Sequence, residues 1–150
     1  NQAENIVNDI RSISWELRPS ILDDLGLVPA LRSYIQRFIE FHGINVHFEC
    51  TLKKRLSIQI ETAIYRIIQE ALNNIRKYAG VKEAFVYVLD CENFLEVRIE
   101  DRGEGFSLET NVKGVGLFSM QERAKAIEGQ MDISSQPKKG TKIRLRIPMD

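Results

Sequence analysis

Three polar side chains at helical spacing, Glu70, Asn74 and Lys77, are the first candidates for chemistry in this sequence. On a helix they would lie within about 60° of one another, since each residue turns about 100°. A carboxylate, an amide oxygen and an ammonium on one helix edge can hold a metal ion and a phosphate together, and oxygen ligands suit Mg²⁺. The alternative is a solvated helix face with an ordinary hydrogen bond between residues four apart.

A second candidate, Asp101, ends a segment in which apolar and charged residues alternate. The apolar residues at 95, 97 and 99 face one way, and Asp101 continues that inward register. An unpaired carboxylate directed towards a core is costly, so it should have a donor, which a ligand amine could supply. Gly103 and Gly105 allow tight turns and close approach of another molecule to the backbone. The alternative is an Asp that ends a strand and caps a turn.

Two glycine-bearing segments supply the remaining candidates. Thr141 follows Gly140 in the inward register of another alternating segment, where its hydroxyl either completes a polar pocket floor or is satisfied by local backbone. Gly114 and Gly116 precede and open a helix whose N-terminal N–H groups suit a phosphate, unless they are only turn residues. The segment between Gly103 and Gly116 has few bulky apolar residues, which predicts a mobile lid.

These groups must be positioned by helices and strands that follow one another in an irregular order. We predict a helix over 1–17, a second helix with Pro29 near its first turn and Gly43 past its end, and helices over about Ser57–Ala79 and Gly116–Glu128. We predict strands over Ile44–Thr51, Glu83–Asp90, Phe94–Asp101, Gln130–Ser135 and Thr141–Ile147. We predict a turn at Leu22–Leu27. The predicted buried face of the second helix comprises Leu31, Tyr34, Ile35, Phe38 and Phe41. This order predicts an α+β two-layer sandwich, in which helices cover one face of a mixed, mostly antiparallel sheet.

Composition excludes several functional classes. The 150 residues are 43% hydrophobic and 28% charged, which is typical of a globular domain. Lys and Arg total 21 and Asp and Glu total 21, so the zero formal net charge argues against a nucleic-acid partner. No apolar run approaches the roughly 20 residues that span a bilayer. Cys50, Cys91, His42 and His47 lack zinc-ligand spacing, and we expect reduced thiols in a cytosolic setting.

Four motifs, taken in order, resemble those of the GHKL ATPases, a superfamily that includes type II topoisomerases, heat-shock chaperones and sensor histidine kinases. The N, G1 and G2 boxes and the terminal Gly-Thr strand of that superfamily are similar to EALNNIRKYA (Glu70–Ala79), DRGEGF (Asp101–Phe106), GVGLFSMQERA (Gly114–Ala124) and GTKIRLRIP (Gly140–Pro148). LRPSILDDLGLVPAL (Leu17–Leu31) resembles the junction before the ATPase domain in NarL/DesK-type bacterial two-component sensor kinases. The resemblance implies the Bergerat ATP-binding fold with ATP and Mg²⁺ as ligands.

The resemblance also implies a role for each matching residue. Asp101 would accept a hydrogen bond from the adenine amino group, Thr141 would support that end, and Asn74 would coordinate Mg²⁺. Glu70 stands where the family places a polarising or base-like acid, so it is the implied catalytic residue. Tyr78 stands where many members of the subgroup carry His, and we expect it to stack near the nucleotide. The other implied ATP-binding residues are Asn73, Asn74, Lys77, Gly103, Gly105, Gly114, Gly116 and Leu117.

The implied function is that of the ATP-binding catalytic domain of a sensor histidine kinase. The motif around the phospho-accepting His has no counterpart here, whereas residues 1–17 resemble the end of the second dimerisation helix. We therefore expect a part of a longer protein, with residues 1–18 as the dimerisation helix end and junction, and residues 19–150 as the ATP-binding domain. The implied partners are the protein's own dimerisation domain, in a homodimer, and a response regulator. We expect a cytoplasmic domain, and the sequence leaves open whether the full-length protein is anchored in the membrane and whether this chain alone is monomeric.

Two alternative functions remain at this point. One is an anti-sigma-type Ser/Thr kinase of the same superfamily, although such kinases lack a junction like Leu17–Leu27. The other is a non-catalytic nucleotide-binding or dimerisation module with a degenerate site, which the intact Glu70, Asn74, Asp101 and Thr141 disfavour.

Overall fold

A computed structural model describes residues 20–103, 115–136 and 138–149 of the chain. The predicted helix over 1–17 and residues 104–114 of the predicted lid lie outside the described residues. The elements in chain order are α1 (Ser20–Leu25), α2 (Leu27–His42), β1 (Asn45–Cys50), α3 (Ile58–Asn74), a π-helical turn (Ile75–Ala79), β2 (Glu83–Asp90), β3 (Phe94–Asp101), α4 (Val115–Ala126), β4 (Gln130–Gln136) and β5 (Gly140–Pro148). None of the helices in these ranges is long and apolar enough to cross a bilayer.

The strands of the described chain form one mixed sheet in the order β1-β2-β3-β5-β4. β1 and β2 are parallel and are connected through α3, whereas the other neighbouring strands are antiparallel. The register between β3 and β5 pairs Ile99 with Ile143 and Asp101 with Thr141. The register therefore brings the two polar strand-end residues side by side on one face of the sheet.

The hydrophobic core lies between the helices and one face of this sheet. Alternate strand residues face it, because side chains alternate between the two faces of a strand. The buried apolar strand residues are Val46, Ala84, Val86, Val88, Leu95, Val97, Ile99, Ile143, Leu145 and Ile147. The helix α3 adds an apolar stripe that includes Ile64, Ile68 and Leu72, at the predicted spacing of three and four residues. The predicted α+β two-layer sandwich is confirmed.

The long helix predicted from Ser57 to Ala79 is confirmed in extent but not in regularity. The Ser57 hydroxyl oxygen accepts a hydrogen bond from the Ile60 N–H at 3.3 Å, so Ser57 is the N-cap of α3. The last five residues, Ile75–Ala79, form a π-helical turn, and Gly80 ends the element in the left-handed conformation. A π turn is wider than an α turn, which changes the direction of every side chain it carries.

Two predictions for the N-terminal helices are wrong. The stretch predicted as a turn, Leu22–Leu27, is helical through Leu25, and Leu22 is buried in the core. Phe41 was predicted to be buried but is 64% exposed. The apolar stripe of α2 continues from Phe38 to His42 instead, since these two rings pack edge to face with centroids 4.8 Å apart.

A buried carboxylate, Glu61, fastens the start of α2 to the start of α3. Its side chain is 2% exposed, and the Arg55 guanidinium donates to its two oxygens at 3.1 and 3.3 Å. The backbone N–H groups of Leu27 and Leu56 donate to its Oε2 at 3.4 and 3.3 Å. Glu61 therefore joins three segments of chain through a compensated buried charge.

Candidate functional site

A cleft of about 400 Å³ lies between the C-terminal end of α3 with its π turn and the ends of β3 and β5. It is lined by Ala71, Asn74, Ile75, Tyr78, Ala79, Ile99, Asp101, Leu117, Thr141 and Ile143. Its walls are mostly apolar, and its few polar groups converge at the strand ends and on the helix. This combination is typical of a small-molecule binding site.

Asp101 occupies the inner, strand end of the cleft and is only 5% exposed. Its Oδ1 accepts a hydrogen bond from the Gly103 N–H at 2.9 Å. Burial raises the pKa of this carboxyl above its ordinary value, and backbone N–H groups of Gly103 and Thr141 partly oppose the shift. Among the described residues, the groups that act on its pKa include no cation. The site therefore holds an acceptor whose charge is only partly compensated by the protein.

A row of polar residues crosses three strands at this end of the sheet. Asp101 pairs with Thr141 in the register of β3 and β5, and Thr141 pairs with Ser135 in the register of β5 and β4. The hydroxyl oxygens of Ser135 and Thr141 are 2.9 Å apart, and the Ser135 hydroxyl donates to the Gly140 carbonyl oxygen at 3.4 Å. Gly140 has φ of +84°, and a Cβ there would meet the Asp101 carbonyl oxygen, so only glycine fits.

The structure shows what lies close to Gly103. A Cβ on this residue would overlap the carbonyl oxygen of Ala79 and the Cγ1 of Val81. The close approach predicted for Gly103 is therefore made in this structure by the chain's own backbone, at the end of the π turn. The contact holds the segment after β3 against the end of the helix, next to the cleft residues Ala79 and Asp101.

The π turn determines which of the predicted helix residues reach the cleft. Asn74, the last residue of α3, and Tyr78 line it, although Tyr78 is 64% exposed at the mouth. Lys77 is exposed and does not line it. The predicted grouping of Glu70, Asn74 and Lys77 assumed α-helical spacing throughout, which the wider turn breaks after Asn74.

The remaining predicted residues lie around the cleft or outside the described ranges. Glu70 and Asn73 are half-buried on α3 but do not line the cleft. Leu117 lines it from α4, and Gly116 lies in the first turn of that helix. Gly105 and Gly114 lie outside the described residues.

Sequence reasoning missed the apolar walls and one polar residue. The walls are Ala71, Ile75, Ala79, Ile99 and Ile143. Two signals could have identified them: Ala71 and Ile75 follow the helical spacing of Asn74 and Tyr78, and Ile99 and Ile143 precede the polar strand ends by two residues. Ser135 carried no comparable signal, because its contact with Thr141 depends on the pairing of two strands.

The side chains near the cleft fit a magnesium ion only if the substrate supplies further ligands. Asn74 lines the cleft and Glu70 lies one turn before it on α3. Among the described residues, no group of three or more His, Cys, Asp or Glu side chains could hold a metal ion. An amide and a carboxylate oxygen with substrate phosphates form the kind of ligand set that Mg²⁺ accepts.

The sequence profile of one family, the histidine kinase-, DNA gyrase B- and HSP90-like ATPases, matches residues 59–150. That range contains the whole cleft. The chain belongs to this ATPase family. The family membership predicted from the four sequence motifs is thereby confirmed, and ATP is the nucleotide that it implies for the cleft.

One curated relative is the oxygen sensor histidine kinase NreB of Staphylococcus carnosus (strain TM300), which is 42% identical over 147 residues. The match covers 96% of this chain and 42% of that protein, so the chain spans less than half of the relative's length.

Solved structures of histidine kinases share the fold. The blue-light activated histidine kinase of Erythrobacter litoralis EL346 superposes with a TM-score of 0.71 at 16% identity, covering 81% of this chain and 41% of that one. The histidine kinase AdeS of Acinetobacter baumannii gives 0.65 at 14% identity, covering 100% of this chain and 81% of that one.

Proposed function

We propose that this chain is the ATP-binding catalytic domain of a sensor histidine kinase and that its cleft binds Mg-ATP. The observation that carries the proposal is Asp101, a buried carboxylate that faces a mostly apolar cleft and has no cation among its partners in the described part of the chain. Such a group is costly unless a donor reaches it, and the adenine amino group is a donor of the right kind. The family of the chain and its 42% identity to a sensor histidine kinase support the same reading.

In this proposal, some residues around the cleft contact the adenine base and others contact the phosphates. Asp101 and Thr141 would read the edge of the base, while Ile99, Ile143, Ala71 and Ile75 offer apolar surface to its faces. Tyr78 at the mouth would pack on the nucleotide. The N-box side chains Glu70, Asn73, Asn74 and Lys77 would then lie towards the phosphates, with Glu70 as the polarising acid and Gly103, Gly105, Gly114, Gly116 and Leu117 shaping the pocket and lid.

Magnesium would be held by Asn74 together with the phosphates, and it would neutralise part of their charge. Phosphoryl transfer depends mainly on positioning and charge neutralisation, so the domain needs to bind ATP and present its γ-phosphate. The acceptor would be a His on the protein's own dimerisation domain, and an aspartate of a response regulator would receive the phosphoryl group afterwards.

Isothermal titration of this chain with Mg-ATP tests the binding step. We expect saturable binding and an increase in melting temperature, because a ligand at 100 times its Kd stabilises a protein by about 2.7 kcal/mol. The absence of both would favour a non-catalytic module with a degenerate site.

Phosphotransfer in trans tests the kinase assignment. We expect no labelling of this chain alone with γ-labelled ATP, but acid-labile labelling of an added dimerisation domain that contains the phospho-accepting His. A matched dimerisation domain with that His replaced by Gln should remain unlabelled. Acid-stable labelling of a protein partner would instead favour a Ser/Thr kinase.

A further inference from the structure

We propose that Arg102, whose side chain does not line the cleft, is a positioning residue for recognition of the base. Its guanidinium packs on Phe85 at the outer face of the sheet, the face opposite the core, and this contact keeps the Asp101 carboxylate directed into the cleft. The inference rests on the proposed function, since it takes Asp101 to bind the amino group of adenine.

Asp101 and Arg102 project to opposite faces of the sheet at the end of β3. Asp101 is buried on the core face, where it lines the cleft, whereas Arg102 is exposed. The Arg102 Cζ lies over the ring of Phe85, 4.9 Å from its centroid. Phe85 belongs to β2 and pairs in register with Glu100, two residues before Arg102. The stack is therefore a diagonal cross-strand contact on the outer face.

The Phe85 ring is itself held by its neighbours in β1 and β2. It is half-buried and stacks on the imidazole of His47, with ring centroids 4.9 Å apart and an interplanar angle of 17°. The His47 Nε2 lies 3.6 Å from a carboxylate oxygen of Glu83. A guanidinium is attracted to the face of an aromatic ring, so the packed Phe85 ring gives the long Arg102 side chain a fixed place.

The backbone of Arg102 is confined as well. Gly140 in β5 lies so close that a Cβ there would overlap the Asp101 carbonyl oxygen and the Arg102 Cα. On the other side of Arg102 in the chain, the Gly103 N–H donates to the Asp101 Oδ1 at 2.9 Å. This hydrogen bond closes a turn around Arg102, so the backbone angles of Arg102 determine whether it forms.

The orientation of the Asp101 carboxylate therefore depends on a residue whose side chain is anchored on the other face of the sheet. A group that is held in its binding orientation before the ligand arrives loses less conformational freedom on binding. Without the stack on Phe85, the bond from Asp101 to the amino group should weaken, while contacts to the rest of the nucleotide should not change.

The test compares the affinities of ATP and of purine riboside triphosphate, which lacks only the amino group of the base, for the wild-type chain and for Arg102→Ala. We expect Arg102→Ala to weaken ATP binding by about two- to fivefold, the size of an exposed cation–π contact, and to leave the affinity for purine riboside triphosphate unchanged. Loss of a positive charge that acts on the phosphates would instead weaken both nucleotides equally.

Phe85→Leu separates the stack from the charge, because it removes the ring and keeps the Arg102 guanidinium. It should lower the preference for ATP by a similar factor, whereas Arg102→Lys, which keeps a cation near the ring, should retain most of the preference. The matched controls are Arg146→Ala and Phe94→Leu. These two residues form the same kind of contact at 5.0 Å, at the other end of β3, and their replacement should leave the preference unchanged.

A double-mutant cycle shows whether Arg102 acts through Asp101. In an Asp101→Ala background, Arg102→Ala should have no further effect on ATP affinity, because the group that it positions is absent. A further loss of the same size as in the wild-type background would show that Arg102 acts by another route.

The inference is overturned if Arg102→Ala keeps the wild-type affinity for ATP, or if it weakens both nucleotides by the same factor. An unchanged preference for ATP in Phe85→Leu would overturn it too, because the stack would then not hold Asp101. Failure of the wild-type chain to bind either nucleotide would instead contradict the proposed function itself.

Discussion

Two buried carboxylates in this domain are compensated in different ways. Glu61 is 2% exposed and accepts hydrogen bonds from a guanidinium and two backbone N–H groups. Asp101 is 5% exposed and faces a cleft, and the donors that reach it from the described residues are backbone N–H groups. Two carboxylates that are almost equally buried thus differ in their surroundings. Glu61 joins the starts of two helices, whereas burial raises the pKa of Asp101.

The difference indicates which carboxylate serves the fold and which serves a ligand. Removing Glu61 would leave several donors unpaired, so its contribution is to stability. The desolvation of Asp101 is not fully offset by the protein, so the folded domain carries a cost there that, under the proposed function, a donor on the ligand would relieve. Such a cost is typical of functional sites, where stability and activity compete.

The largest expected effect is from Glu61→Ala. The change removes the acceptor of the Leu27 and Leu56 N–H groups and the partner of Arg55, and we expect a loss of about 2–4 kcal/mol in the free energy of unfolding. Urea denaturation measures it. The control is Glu122→Ala, whose side chain is 53% exposed in a surface pair with Lys125 and should change stability by less than about 0.5 kcal/mol. Equal effects of the two changes would contradict the role given to Glu61.

A smaller loss is expected from Gly103→Ala, which tests how closely the segment after Asp101 is held. The added Cβ overlaps Ala79 and Val81, so backbone must shift, and we expect a loss of about 1–3 kcal/mol together with weaker ATP binding. Gly43→Ala separates crowding from backbone strain, since Gly43 has φ of +67° but open space around it. Gly43→Ala should cost about 1 kcal/mol. It should leave ATP binding unchanged, because Gly43 caps the end of α2 and does not line the cleft. Unaltered ATP affinity in Gly103→Ala would show that this contact does not shape the cleft.

The smallest expected effect is a pH dependence that separates wild type from Asp101→Asn. Because burial raises the pKa of Asp101 in the folded state, the stability linked to its protonated form is present below the unfolded value of 3.8 and is lost as the pH rises through the folded pKa. The unfolding free energy of Asp101→Asn relative to wild type should therefore increase over that window and then level off. A relative stability that falls with rising pH would show that the carboxylate is not penalised by burial.

The sequence predicts those features of the site that depend on local periodicity. Alternation along β3 and β5 places Asp101 and Thr141 on the buried face, and the structure confirms that they are neighbours. The helical stripe of α3 likewise predicts the core side of the helix that carries Asn74. These patterns are local, so they can be recognised in the sequence without knowledge of the tertiary fold.

The features that the sequence does not predict depend on tertiary contacts or on departures from regular geometry. Lys77 lies in the π turn and does not line the cleft, and α-helical periodicity does not reveal that turn. Ser135 acquires its contact through strand pairing. Glu61 did carry a signal, because it lies three and seven residues before Ile64 and Ile68 in the apolar stripe, but its donors come from distant segments.

The central claim is that Asp101 is the group that recognises the base and that it does so at a cost to the empty domain. Titration with Mg-ATP and urea denaturation of Asp101→Asn, with the exposed Asp132→Asn as the control, test both parts. We predict that Asp101→Asn weakens ATP binding by about ten- to a hundredfold while its free energy of unfolding at neutral pH is no lower than that of wild type. Unchanged ATP affinity in a folded Asp101→Asn would contradict the account.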